Sequence, residues 1–306
     1  MVANIFLVHK YPLLLARIIK RLDDGQSHFF VHVDAESDIN LFHAATKNLN
    51  NVIYVERCRS SWGTMGIVEA SISLLRAVIA TKAKYTHINL LSGQDYPLKK
   101  IDDLQTFYAE NVNRSFIEHF SLPNHQKWQP NGGLYRVEKY FMGLRTMNKY
   151  MAKTLNLLAR FLPFLRRKPY KRMKPFAGSS WWTITRQAAK HIVNFTDSNP
   201  GYMEFHQHTF APDEVFFQTI LVNASKKELG GELVSDNLRF IKWKNVSSAH
   251  PETISSSMIP ELKSTKALFG RKFDVLNDRK VLGLVDTEIL GVNASVVDEE
   301  LFTESE

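Results

Sequence analysis

Cysteine is almost missing from this chain: Cys58 is the single thiol among 306 residues. No intramolecular disulfide can form and no cysteine cage can hold a metal, so the expected compartment is a reducing one. Long apolar runs are missing too, so no stretch is long enough to cross a bilayer as a helix. The apolar opening, Met1-Val-Ala-Asn-Ile-Phe-Leu-Val8, is short and is interrupted by His9 and Lys10. It reads as a first strand rather than a secretory signal, and a cytoplasmic protein is the expectation. No internal repeat and no low-complexity stretch occurs.

Acid is missing from one region in particular. Of 39 Lys and Arg, ten fall in residues 145–174, where no Asp or Glu occurs. The remainder holds 29 basic against 31 acidic residues, so the formal charge of +8 resides in this window. Such a cluster bears on partners, not on fold. A solvated helix face is the default reading. No groove-reading motif or aromatic–basic platform accompanies it, so nucleic acid is not an expected partner. Residues 157–165 interleave Leu and Phe with Arg160, and Arg166-Arg-Lys168 follows at once. That pattern is the one seen in basic amphipathic segments lying on anionic membranes, which points to peripheral attachment at the inner leaflet.

What is present is an α/β rhythm. Residues 5–8, 29–33, 52–55 and 87–91 read as strands, and 13–22, 39–48 and 67–80 as helices. Alternation of this kind predicts a mainly parallel sheet covered on both faces. Such sheets bind ligands beyond the carboxyl ends of their strands, so His9, Asp34 and the turn Ser92-Gly93-Gln94-Asp95 point to one crevice. Gly132-Gly133 marks a loop, and 140–175 reads as a helical insertion carrying the basic cluster. A strand is expected over 179–185, a helix over 187–195, a strand over 239–243 and a short helix over 259–265. Past Asp274 the pattern weakens, and the acidic tail 298–306 is expected to fray. These boundaries give a single domain over 1–275, with a nucleotide-binding half at 1–100. The acceptor and catalytic half is 101–275 with its basic insertion at 140–176, and 276–306 is a C-terminal extension.

The segment Pro212-Asp-Glu-Val-Phe-Phe217 sets two carboxylates, Asp213 and Glu214, between a helix-starting proline and an apolar run. Desolvating an ionised carboxylate is costly, so one held there has a raised proton affinity and is a candidate general base. The bland alternative makes Asp213 an N-cap and Glu214 a first-turn acid. Adjacent Trp181 and Trp182 in a strand must face opposite sides, so at least one is core. Trp62 suits core or nucleotide wall equally. His206-Gln-His208 mimics a metal-ligand pair without a third well-spaced ligand, so no metal site is expected.

Taken in order, Val31-His-Val-Asp34, Ile88-Asn-Leu-Leu-Ser-Gly-Gln-Asp-Tyr-Pro-Leu98, Pro212-Asp-Glu214, Arg239-Phe-Ile-Lys-Trp243 and Leu268-Phe-Gly-Arg-Lys-Phe-Asp274 form a set. That set resembles the core-2/I-branching β-1,6-N-acetylglucosaminyltransferases and the related xylosyltransferases. The resemblance implies a GT-A type fold, a UDP-sugar donor and inversion at the anomeric carbon. It implies Glu214 as catalytic base with Asp213 orienting the segment, and Lys272, assisted by Arg271, on the leaving diphosphate. His250 stands where the family carries a second basic residue. The donor side is then His9, Asp34, Trp62, Ser92, Gly93, Asp95, His250, Arg271 and Lys272. The acceptor side is Glu118, Lys127, Trp181, Trp182 and Trp243. The family works without a metal, and the nearest approach to an Asp-x-Asp motif is Asp34-Ala-Glu36. The absence of the animal enzymes' disulfide cysteines fits a bacterial cytoplasmic relative. The expected activity is transfer of a sugar, N-acetylglucosamine first, to a saccharide or lipid-linked glycan in surface-glycan synthesis, with no cofactor. The alternatives are a metal-dependent GT-A transferase of another family and a catalytically silent carbohydrate- or membrane-binding protein.

Overall fold

The computed structural model describes residues 1–141, 149–245 and 250–293. The first 100 residues build the expected alternation. Strand β1 (Val2–Val8) is followed by helix α1 (Pro12–Leu22), β2 (His28–Val33) by α2 (Ile39–Thr46), and β3 (Val52–Tyr54) by α3 (Gly66–Ala80). Then come β4 (His87–Ser92), β5 (Tyr96–Pro97), α4 (Ile101–Glu110), β6 (Arg114–Ile117) and β7 (Phe120–Ser121). A helical turn α5 (Tyr135–Glu138), the helix α6 (Lys149–Phe161), β8 (Phe176–Ala177) and β9 (Trp182–Thr185) follow. The chain continues through α7 (Arg186–Ser198), α8 (Pro200–His206), α9 (Phe216–Asn223), α10 (Lys226–Leu229), β10 (Glu232–Val234) and β11 (Arg239–Ile241). Then come α11 (Ile259–Ser264), β12 (Phe269–Arg271) and α12 (Lys280–Val285), which runs on into a wider turn over Asp286–Leu290.

The central sheet has seven strands in the order β10-β6-β9-β4-β1-β2-β3. β1 runs parallel to β2 and β4, and β2 to β3, whereas β9 runs antiparallel to both β4 and β6. Strand periodicity sorts the side chains of β1 between two cores. Val2, Phe6 and Val8 join α1, α4, α11 and α12 on one face, while Ala3 and Ile5 join α3, α7 and α9 on the other. A second small sheet, β11-β12-β5, carries the Arg271 segment to the end of the first. Among the described residues no helix is long and apolar enough to cross a membrane.

Three expectations change here. The strand expected over 179–185 begins only at Trp182, because Gly178 donates its amide to Glu214 and Ser179 gives its carbonyl to Gln218. Pro212–Glu214 is one tight 3-10 turn, and α9 starts at Phe216 after Val215 leaves helical geometry at φ −132°. The weak pattern past Asp274 conceals α12, whose Val281, Leu282 and Val285 sit in the first core. The acidic tail 298–306 lies outside the described residues.

Asp286, directly after α12, is fully buried and clamps the extension to α1. Its Oδ2 takes Arg17 at 2.9 Å and Arg21 at 2.7 Å, and its Oδ1 accepts from the Tyr96 hydroxyl at 2.7 Å. Removing the carboxylate takes a buried counter-charge from both arginines at once. Asp286→Asn is expected to lower stability by about 3–5 kcal/mol, read by urea unfolding. A loss below about 1 kcal/mol would show that the cluster does not hold the extension in place.

Candidate active site

The carboxyl ends of β1, β2 and β4 open side by side, since Val8 pairs with Val33 and Leu7 with Ser92. Open α/β sheets bind ligands beyond this edge, so the residues these ends deliver form the candidate site. His9, just past β1, is exposed, and the surrounding protein with Lys10 holds its pKa below the ordinary imidazole value against the pull of Asp34. Asp34 is buried with both oxygens occupied. Its Oδ1 accepts from the Glu36 amide at 2.9 Å, and its Oδ2 from the Ser60 amide and hydroxyl at 2.6 and 2.7 Å. Burial opposes its ionisation, yet these donors prevail and its pKa lies below the usual carboxylate value.

The turn after β4 is built for close packing. Ser92 accepts from the Gln94 amide at 3.2 Å, and a Cβ on Gly93 would sit 3.2 Å from Val8 Cγ1. Asp95 is fully buried: it accepts from the Ser92 amide and holds Arg271 at 3.3 Å from each oxygen. Its placement among donor-contacting residues is therefore corrected, because Asp95 is a holder of Arg271. The other side of that guanidinium lies on the Trp181 ring, Cζ 3.9 Å from the centroid. Lys272 follows, half-buried; its carbonyl accepts from the Ile254 amide at 2.9 Å, while its ammonium has no hydrogen bond or ion pair among the described residues. Asp274 fastens this segment to the β1 loop by accepting from the Tyr11 hydroxyl at 2.8 Å and from Lys10 at 3.3 Å.

The carboxylate turn is fixed from both sides. Ala211, just before Pro212, sits at φ 45°, a left-handed conformation that costs a residue with a side chain about 1–2 kcal/mol. Gly178 lies so close to the link between β6 and β7 that a Cβ would come 1.8 Å from the Glu118 carbonyl oxygen. Only glycine permits that approach, and it brings Glu118 beside the turn. The Asp213 side chain accepts from Ser180 Oγ at 2.6 Å, while its other oxygen is buried without a partner among the described residues. Asp213 is therefore not an N-cap for α9. Burial raises its pKa against Ser180, Arg136 and Arg271.

Glu214 is different: its side chain is 32% exposed and ion-paired with Arg136. Burial, then the negative charges of Asp213 and Glu118, lift its pKa to about 7 despite Arg136. Sequence reasoning missed Arg136. It stands on the four-residue turn α5, 78 positions from Glu214, in a stretch with no motif. Its guanidinium lies on Trp128 at 3.8 Å and near Phe210 at 5.4 Å, so the arginine is held flat before it meets the carboxylate.

The remaining residues divide by exposure. Glu118 pairs with Lys127 at 3.3 Å and accepts from Asn237 at 3.4 Å. Trp243 is 51% exposed and Trp62 is 62% exposed, with its ring edge-on to Phe210 and to His250 at 5.8 and 5.6 Å. Trp182 is 0% exposed and packs on Phe217, which removes it from the acceptor side. His206 is buried among the Tyr202, Phe205 and Phe216 rings, and burial then Arg167 keep it well below the usual imidazole pKa. The Asp34-Ala-Glu36 segment does not converge on one point, because Asp34 is saturated and Glu36 pairs with Arg59 at 2.8 Å. Ser248 and Ala249, beside His250, lie outside the described residues.

A mainly parallel seven-stranded sheet flanked by helices, with a raised-pKa carboxylate paired to a guanidinium, is consistent with a GT-A-like α/β fold. Comparison narrows this. The Core-2/I-branching enzyme family model matches residues 2–265, and the chain belongs to that family. It is similar to human xylosyltransferase 2, 23% identical over 297 residues covering 90% of this chain and 32% of that one. It is similar also to a zebrafish (Danio rerio) β-1,3-galactosyl-O-glycosyl-glycoprotein β-1,6-N-acetylglucosaminyltransferase 4. There the identity is 24% over 260 residues, 79% of this chain and 56% of the relative. The Drosophila melanogaster xylosyltransferase oxt is 21% identical over 288 residues, 87% of this chain and 31% of its own. The chain thus spans about a third of the length of the xylosyltransferases it matches.

Proposed function

We propose that this chain is an inverting glycosyltransferase that moves a sugar from a UDP-sugar to a hydroxyl of a saccharide acceptor. The observation that carries this reading is Glu214, a carboxylate with a pKa of about 7 whose neighbour Asp213 feels the charge of Arg271. In the reaction the acceptor hydroxyl loses its proton to Glu214 as its oxygen bonds to the anomeric carbon. The bond from that carbon to the diphosphate breaks on the opposite face, and its electron pair leaves with UDP. Lys272 and Arg271 meet the charge that develops there, with Asp95 and Trp181 holding the guanidinium in place. Glu118, Lys127 and the exposed Trp243 serve the acceptor, whose sugar face can stack on the indole.

N-acetylglucosamine is the leading donor in this reading and no metal takes part. The product belongs to bacterial surface-glycan synthesis, made from the cytoplasmic side of the membrane on a saccharide or lipid-linked glycan. Turnover of a panel of UDP-sugars, followed by mass spectrometry of the product, tests it. No transfer and no hydrolysis from any donor would leave a binding protein instead.

The pH dependence follows from the sign of the Glu214 shift. Below about pH 7 the carboxyl is protonated and cannot accept the hydroxyl proton, so kcat/KM falls about tenfold per unit of pH. Above it the rate levels off. Arg136 favours the ionised form, so Arg136→Met should move this acid limb to higher pH by about one unit and recover part of its activity in alkali. An acid limb that stays in place would show that Arg136 does not act on Glu214.

A further inference from the structure

Helix α6 is turned inside out. Its protein-facing side carries the small buried residues Ala152 and Ala159, with Asn156 clamped to the Tyr140 backbone at 2.7 and 2.8 Å. Its bulky apolar residues face away. Tyr150 is 80% exposed, Leu157 54% and Phe161 77%, and positions i, i+7 and i+11 place them on one stripe. Phe164, just beyond the helix end, extends the stripe at 74% exposure. Folding gains nothing from apolar side chains displayed in this way, so their exposure marks an interaction surface.

The chemistry of the covering partner is given by the charges around the stripe. Lys153 and Arg160 border it along the helix, and Arg166, Lys168, Lys171, Arg172 and Lys174 continue beyond it, all exposed. From position 139 to 196 the sequence contains no Asp or Glu. A second copy of the chain would bring the same positive charge against it, and the stripe is too apolar for a purely electrostatic partner. We infer that this face docks on a bilayer bearing anionic headgroups, with Phe161 and Phe164 in the interface and the cations on the phosphates. Arg167 does not belong to the surface, although the sequence sets it between two exposed cations. It is buried, lies on Phe205 at 4.1 Å, and donates to the carbonyls of Lys139 and His208 at 2.8 and 2.7 Å. That contact ties the docking face to the segment leading into Pro212–Glu214. Resting on the transfer reading, the consequence is that the acceptor reaches Glu214 from the membrane plane, as a glycan on a lipid carrier would.

Flotation of the full chain with vesicles tests the surface without any donor or acceptor, so its failure would leave the transfer reading standing. The chain is expected to float with phosphatidylcholine vesicles containing phosphatidylglycerol, and far less with phosphatidylcholine alone. Arg166→Gln with Lys168→Gln should weaken binding to anionic vesicles about 30-fold. Phe161→Ala with Phe164→Ala should weaken it at least about tenfold, with the melting curve unchanged because both rings are exposed. Equal binding to both vesicle types, or an unaffected Phe161/Phe164 variant, would overturn the proposal. So would tight binding to duplex DNA, or a stable dimer, by a chain that does not float.

Discussion

Replacing Glu214 with Gln should leave UDP bound as tightly as before and lower turnover by about 10³–10⁴-fold. The amide keeps the size of the side chain and a hydrogen bond to the acceptor, but it cannot take up a proton near pH 7. Loss should therefore fall on kcat and not on UDP affinity. The two acids of the turn also separate cleanly. Glu214 is partly exposed and paired with a cation, whereas Asp213 is buried on Ser180. Asp213→Asn should thus disturb the geometry of the turn and mildly lower both kcat and stability. The measurement is single-turnover transfer alongside UDP binding by calorimetry. Turnover within tenfold of the parent in Glu214→Gln would take the proton-accepting role away from this residue.

The second large effect concerns the leaving group. Lys272→Ala should cost about 10²–10³-fold in kcat, since fixed charge placed where the diphosphate departs stabilises the transition state more than the bound substrate. Its ammonium has no partner among the described residues, unlike Arg271, which Asp95 neutralises and Trp181 covers. A free cation beside a half-neutralised one is the arrangement expected of a site that waits for an anion. Lys272→Arg should recover only part of the rate, because a planar fork replaces a compact point charge. In this reading EDTA leaves turnover intact. Loss of activity in EDTA with recovery on adding manganese, or an unimpaired Lys272→Ala, would overturn it.

Much of the frame could be read before the structure. The strand and helix periodicities of the first hundred residues place His9, Asp34 and Ser92 at three adjacent strand ends, and the register Val8–Val33 and Leu7–Ser92 puts them there. Asp213 and Glu214 stood out through the ordered segments around them and not through Pro212-Asp-Glu214 alone, and the 3-10 form of that turn was not legible. Other features depend on tertiary partners. Alternation says that Trp181 and Trp182 face apart, but only the pairing of Trp182 with Ile117 decides which one is core. Asp95 looks like a ligand-facing acid in a turn, and its role reverses once Arg271, 176 positions away, arrives beside it. Arg136 left no trace in the sequence because its carboxylate, Glu214, and the rings of Trp128 and Phe210 are not adjacent to it in the chain. In the basic window, composition alone could not tell Arg167 from Arg166 and Lys168, though one is an internal strut and the others lie on the surface.

The Asp286 clamp carries a practical meaning for anyone dividing this protein. The family model ends at residue 265, yet a carboxylate twenty-one positions later supplies counter-charge to two arginines of the first helix. A fragment trimmed at that point would remove Val281, Leu282 and Val285 from the first core and take one carboxylate away from those guanidiniums. The portion matched by the family model is thus shorter than the portion that must be synthesised together for the whole to hold its shape.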